Sequence, residues 1–465
     1  MESVKIMTKT PKAMLKIDIF TTGLEMRFFS SPPLIIFCAM KYAVFNFPFK
    51  VVQKYIIVLS TFLSIPLFTL AFESGAHNVM NHTRFSVSSA YGKIAVYPGA
   101  NQPELYMPLL KDKSVAIVGN QTSVVFKNPQ HSEYVHLVDH LVEAGVKVVK
   151  VFSPEHGFRG DGDAGEIIRS DVDQKTGLPI ISLYGNNKKP NAEQLQGIDV
   201  VVFDLQDVGV RFYTYISTLH YVMEACAEAN IPIVVLDRPN PNIDIIDGPV
   251  LELAQKSFIG MHQVPILYGM SIGEYAQMIN GEKWISKPAN LTVVPCSNYT
   301  RESRYSLPIA PSPNLRTDKS IAWYASLCLF EGTVFSVGRG TDKPFEQVGH
   351  PDLPKRNHSF TPKPGFGSKD PLLNGQLCYG VSYSDSIAPR ELNLNPIISM
   401  YAAFPNKDGF FLKNHFFNLL VGNSDTRRQI EIGQTEAQIR QGWQAAIQEF
   451  MLIRAKYLIY KPEFD

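Results

Sequence analysis

From residue 115 to residue 236 the chain alternates short apolar runs with longer amphipathic stretches. Val115–Gly119, Val146–Phe152, Leu178–Leu183, Ile198–Phe203 and Ile231–Leu236 are apolar runs closed by turn residues and predict buried strands. His136–Ala144, stopped by Gly145, and Ile216–Ala229 repeat apolar residues at helical spacing, and Asn191–Leu195 reads as a helix start. Strands alternating with helices predict an α/β fold, a Rossmann-like parallel sheet with helices on both faces. Four strands exit into polar residues: Asn120 to Thr122, Glu155 and His156, Asp204 to Asp207, and Asp237 to Asn240. Right-handed crossovers bring such exits to one edge of the sheet, where open α/β folds hold their ligands. A pocket there is the expectation.

Past residue 298 the pattern changes. Ile309–Arg316 is proline-rich and predicts an extended or site-lining loop. Ile321–Phe330 reads as a helix, Val334–Val337 as a short strand, and Gly338 to Phe345 as a loop. Residues 350–374 are rich in Pro, Gly and Lys, whereas Arg427–Ile432 and Ala437–Phe450 read as helices. These segments predict a smaller α+β domain. The expected division is a leader over 1–90, the Rossmann-like domain over 91–300, and the C-terminal domain over 301–465.

The leader has its own signature. Lys50 and Lys54 precede Tyr55–Ala71, an uncharged apolar run, and small residues follow at Ser74, Gly75 and Ala76. That is the layout of a secretory signal, predicting a mature protein that starts near Ala71–Ala76 and acts in the periplasm or outside the cell, with no stable membrane insertion. An uncleaved anchor is the alternative. Because the run lies far from Met1, Met1–Ala39 reads as an over-extended gene model or an unusual leader.

Acidic and basic residues nearly balance, with a net charge of +1, and no basic stripe suggests a nucleic-acid partner. No two of the five cysteines stand at metal-ligand spacing, and Cys226 and Cys328 read as small buried apolar residues. There is no GxGxxG after a strand, Walker loop, HExxH helix or GxSxG elbow. Neither a metal nor an organic cofactor is therefore expected. What remains is the loop after the second strand, where Glu155, His156, Arg159, Asp161, Asp163 and Glu166 are interleaved with glycines. Pro154 stiffens its start.

The segments VGNQTSVV, VFSPEHGFRGDGDAGE, VFDLQDVGVRFYTYISTL, VLDRPNP, DGPVLE, PILYGMSIGEYA, LFEGT and VGRGTDKPFEQVG follow one another in this order. Together they resemble the exo-β-N-acetylmuramidase family, NamZ, over about residues 92 to 465. The resemblance implies a glycoside hydrolase that releases terminal N-acetylmuramic acid from the non-reducing end of peptidoglycan fragments, with its cleft between a Rossmann-like domain and a smaller one. It implies that Glu155 is the catalytic glutamate. His156 and Arg159 match the same motif, Asn120 and Gln121 the first polar exit, and Asp207, Arg211 and Tyr213 the DVGxRFYTY segment.

Glycoside cleavage usually needs an acid and an opposing base or nucleophile. With Glu155 as acid, candidates for the second group are Glu166, Asp207, Asp204 and Glu331, or the substrate's own N-acetyl group. Asp207 is preferred because another strand exit can set it across the pocket from Glu155. His156 either orients Glu155 or is a hydrogen-bonded loop histidine. Arg211 and Arg339 are candidates to grip the lactyl carboxylate of muramic acid, and Asn120 and Gln121 its acetamido group; Arg159, Glu166, Tyr213 and Glu331 complete the expected binding set. Arg211 could instead pair with Asp207, and Tyr213 and Tyr215 could be core residues. The rival function is a periplasmic sugar- or muropeptide-binding protein without catalysis.

Overall fold

The computed structural model describes residues 95–159 and 171–460, together with the backbone of three short strands, Ile6–Met7, Leu15–Asp18 and Glu25–Phe28. The apolar run Tyr55–Ala71 lies outside the described residues, as do Asp161, Asp163 and Glu166. The chain divides into two compact units, Met1–Ser89 and Ala90–Asp465. In the first, the three short strands pair antiparallel. The second holds all the remaining described elements.

Its main sheet has seven strands: β1 (Val115–Gly119), β2 (Val148–Ser153), β3 (Asp171–Val172), β4 (Pro179–Ser182), β5 (Val200–Asp204), β6 (Ile233–Leu236) and β7 (Leu291–Val294). They lie in the order β7-β6-β5-β1-β2-β4-β3, and every neighbouring pair is parallel except β3 with β4. Every residue of β1, β5 and β6 is buried, as the continuous apolar runs require of strands covered on both faces. Alternate residues serve opposite cores. Ala116, Val118, Val201 and Phe203 join the larger cluster, whereas Val115, Ile117, Val200 and Val202 join the smaller one with Leu137, Val138 and Leu141.

Besides the short helix Ala192–Leu195, the connecting helices among the described residues include α1 (Leu137–Glu143), α2 (Tyr215–Ala229) and α3 (Ile272–Gly281). Their ends follow from local chemistry. His136 Nδ1 accepts from the Val138 N–H at the start of α1, Asn230 ends α2 in the left-handed conformation (φ 53°), and Ser271 and Glu274 form a capping box on α3.

Register decides where the site can form. Asp204 of β5 pairs with Gly119 of β1, and Val118 pairs with Phe152 of β2. The exits at Asn120, Pro154 and Leu205 therefore emerge along one edge. The strand order reverses across β1 and β5, the place where open α/β sheets leave a crevice.

Beyond residue 317 helix α4 (Asp318–Leu327) runs into a tight turn, Cys328–Gly332. A small antiparallel sheet follows, with β8 (Gln347–His350), β9 (His358–Phe360) and β10 (Cys378–Ser382) in the order β8-β10-β9. Two expectations are corrected here. Val334–Val337 is not a strand, because its residues bond to different neighbours: Val334 N–H donates to Phe410, while Ser336 bridges to Gly349. The helix expected over 437–450 is broken into Glu436–Gln441 and Gln444–Arg454. Among the described residues no helix is long and apolar enough to cross a membrane.

Candidate active site

Glu155 follows β2 by two residues, and its carboxylate is held by groups from other elements. Thr214 Oγ1, just before α2, donates to Glu155 Oε2 at 2.8 Å. The Tyr184 hydroxyl, beyond the end of β4, is also hydrogen-bonded to Glu155. Burial, and then the charge of Glu155, push the Tyr184 hydroxyl pKa well above its usual value, so it stays a donor. Beneath them Asn120 Nδ2 donates to the Tyr215 hydroxyl at 2.7 Å, and that hydroxyl reaches the Glu155 carbonyl at 3.4 Å. His156 has φ 76° and Gly157 φ 80°. A histidine in the left-handed region is a local strain, of the kind found where function fixes the backbone.

Glu155, His156, Tyr184, Thr214 and Tyr215 line a cleft of about 750 Å³. Glu331 and Arg339, from the turn after α4 and the segment beyond it, line the same cleft, with Arg339 Nε donating to Glu331 Oε1 at 2.6 Å. Burial opposes the Arg339 charge, but Glu331 outweighs it and holds the guanidinium pKa above its usual value. The Arg339 guanidinium also sits 4.9 Å above the Phe345 ring, and Cys328 Sγ donates to Glu331 Oε2 at 3.3 Å. The segment Gly367–Leu372 and the proline-rich segment, through Ser312 and Leu315, complete the lining. Among the described residues no group of His, Cys, Asp or Glu is placed to hold a metal ion.

Of the residues singled out from sequence, Glu155, His156, Tyr213, Glu331 and Arg339 meet at this cleft. Tyr213 is both lining and core, packed edge-on to Tyr215 at 4.7 Å with its hydroxyl donating to Pro311 O. Glu166 lies outside the described residues. The others stand behind the lining. Asn120 is fully buried and its Oδ1 accepts from Thr122. Gln121 Nε2 donates to the carbonyls of Ala310 and Pro311, tying the proline-rich segment to β1. Arg159 forms a fork on Asp173 at 3.1 and 2.8 Å and reaches Asp139 at 3.2 Å.

Asp207 and Arg211 require correction. Asp207 does not face Glu155 across the cleft. It is buried, its Oδ2 accepts from the Tyr268 hydroxyl and the Gly209 N–H, and burial raises its pKa to about 6. Arg211 is fully buried, and among the described residues it pairs with no carboxylate. It donates to the carbonyls of Pro249, Val264, Leu420 and Val421, and burial lowers its pKa to about 9. Asp204 is also withdrawn, in a fork with Arg238 at 2.5 and 2.8 Å. Sequence reasoning missed Thr214, Tyr184, Phe258, Lys369 and Asp370, all of which line the cleft. Tyr184 had a signal, since it follows a strand exit; Lys369 and Asp370 sit in a loop with no periodic pattern.

Two family models match the chain. Exo-beta-N-acetylmuramidase NamZ, N-terminal, covers residues 115–319, and its C-terminal counterpart covers 322–460. The chain belongs to the NamZ family. The peptidoglycan beta-N-acetylmuramidase NamZ of Bacillus subtilis (strain 168) is 38% identical over 382 residues, 76% of this chain and 89% of that protein. Crystal structures of two DUF1343 family proteins from Bacteroides fragilis are also similar. One has a TM-score of 0.72 at 42% identity and covers 79% of this chain and 99% of its own. The other has 0.68 at 30% identity, covering 80% and 100%. Within the NamZ match, Glu155, Tyr184 and Thr214 come from the N-terminal model, and Glu331 and Arg339 from the C-terminal one.

Proposed function

We propose that this protein is an exo-β-N-acetylmuramidase, a glycoside hydrolase that releases terminal N-acetylmuramic acid from the non-reducing end of peptidoglycan fragments. The observation that carries the reading is Glu155, set in a cleft by Thr214 and the Tyr184 hydroxyl in a chain of this family. A carboxyl group so held can deliver a proton to the leaving glycosidic oxygen. In the same cleft, the charge-assisted bond from Arg339 weakens Glu331 as a nucleophile. The substrate's N-acetyl oxygen is then the attacking group, with Glu331 orienting the acetamido group rather than attacking. Arg339 lines the cleft and Arg211 does not, which supports Arg339 as the arginine that selects the lactyl carboxylate. Export, with work in the periplasm, is supported by the lysine-flanked run Tyr55–Ala71, and N-terminal sequencing of protein from its native host tests it.

The reaction is tested with paired chromogenic β-glycosides of N-acetylmuramic acid and N-acetylglucosamine. Release from the first and little from the second is expected. Tight binding of the muramic acid compound without release would make the protein a binder and overturn the proposal.

A further inference from the structure

The cleft has a floor and a rim. Phe212, Tyr324, Cys328, Phe335 and Phe345 line it and are buried. Tyr184, Phe258 and Ile259 line it and are only half-buried, and Leu372 is 51% exposed. An enzyme that removes one terminal sugar must take that sugar toward the closed end and leave the rest of the chain at the rim. The oxygen that Glu155 protonates joins the two rings, so the leaving sugar lies on the outer side of Glu155. Tyr184 marks that side. Its hydroxyl bonds to Glu155, and its ring is 6.3 Å from that of Phe258. Phe258 in turn lies nearly parallel to Tyr221, at 6.3 Å and 15°, with Lys188 Nζ 4.7 Å above its face. The turn that presents Phe258 is closed by reciprocal bonds between Ser257 and Gly260, at 2.9 and 3.1 Å.

We propose that Tyr184 and Phe258 form the subsite for the leaving sugar, a hexosamine ring whose C–H groups pack against the cleft-lining sides of these aromatic rings beside the acid. Rings of this kind offer large contact area at little conformational cost, which suits a partner that must be held in register and then released. This rests on the reaction proposed above.

Phe258 is the residue to test, because Tyr184 also touches Glu155. Phe258→Ala and Phe258→Trp are compared with wild type on two substrates: the disaccharide in which muramic acid is linked to N-acetylglucosamine, and β-muramyl fluoride, which has no leaving sugar. The expected result is a fall in kcat/KM for Phe258→Ala of roughly tenfold on the disaccharide. Its loss on the fluoride should be much smaller than on the disaccharide, and Phe258→Trp should recover most of the disaccharide rate. Equal losses on both substrates, or no loss on the disaccharide, would overturn the subsite while leaving the reaction in place. Wild-type protein inert on both would overturn the reaction and the subsite with it.

Discussion

Arg211 shows how a site-like motif can serve the fold. It donates to the carbonyls of Pro249 and Val264 and to those of Leu420 and Val421, sewing a segment near the C-terminus onto the parallel-sheet half. Gly422 makes room for it: a Cβ there would lie 2.3 Å from Nη2. Arg211→Met should leave these carbonyls buried and unpaired and cost about 3 kcal/mol or more in urea unfolding. The preference of the folded fraction for muramic acid over glucosamine should persist. Arg339 is the contrasting case. Arg339→Ala should narrow that preference by one to two orders of magnitude in kcat/KM, since a hydrogen bond to a charged group contributes roughly 1.5–3 kcal/mol. Glu155 was legible because a strand-ending proline fixes the place of the next residue at the sheet edge. Asp207 and Arg211 were not, because nothing in DVGVRFYTY tells which side chains turn inward between β5 and α2.

The elements were legible to the extent that burial wrote them as local pattern. The strands of the parallel sheet are apolar runs, and their order of exit places Glu155, Asn120 and Thr214 together. Val334–Val337 is equally apolar but owes its burial to scattered long-range neighbours, so periodicity misreads it. Residues at element ends also set the response to pH. His136 caps α1 through Nδ1, and its Nε2–H then donates to the Asn120 carbonyl at 2.9 Å, so the neutral ring is the form that fits. Burial lowers its pKa from 6.5 to about 4. The unfolded chain binds this proton more tightly, so stability falls as pH drops from 7 toward 4. Asp207 and Asp237, raised to about 6 by burial, act in the opposite sense over pH 4 to 6, because their folded forms take up protons first. Comparison with His136→Gln isolates the histidine. Chemical denaturation at pH 7 and 5 should show wild type losing about 2 kcal/mol more than the variant between them. Parallel losses would contradict this account of the cap.

At the scale of the molecule, the cleft draws its whole lining from Ala90–Asp465, a single compact unit. Residues 90–465 produced alone should unfold in one cooperative transition and hydrolyse substrate at the rate of the full chain, as calorimetry and a release assay would show. Assembly of the cleft was only half legible in the sequence. Part of its lining comes from consecutive strand exits, whereas another part depends on how Glu331, Arg339 and the Gly367–Leu372 segment return over the sheet edge. Everything proposed for the cleft turns on Glu155 as proton donor, and the natural linkage tests that role most directly, because its poor leaving group needs protonation. The measurement is kcat for Glu155→Gln on the muramic acid–N-acetylglucosamine disaccharide, with the melting temperature followed alongside. A fall of about two orders of magnitude or more at unchanged melting temperature is the predicted result; turnover near that of wild type would contradict it.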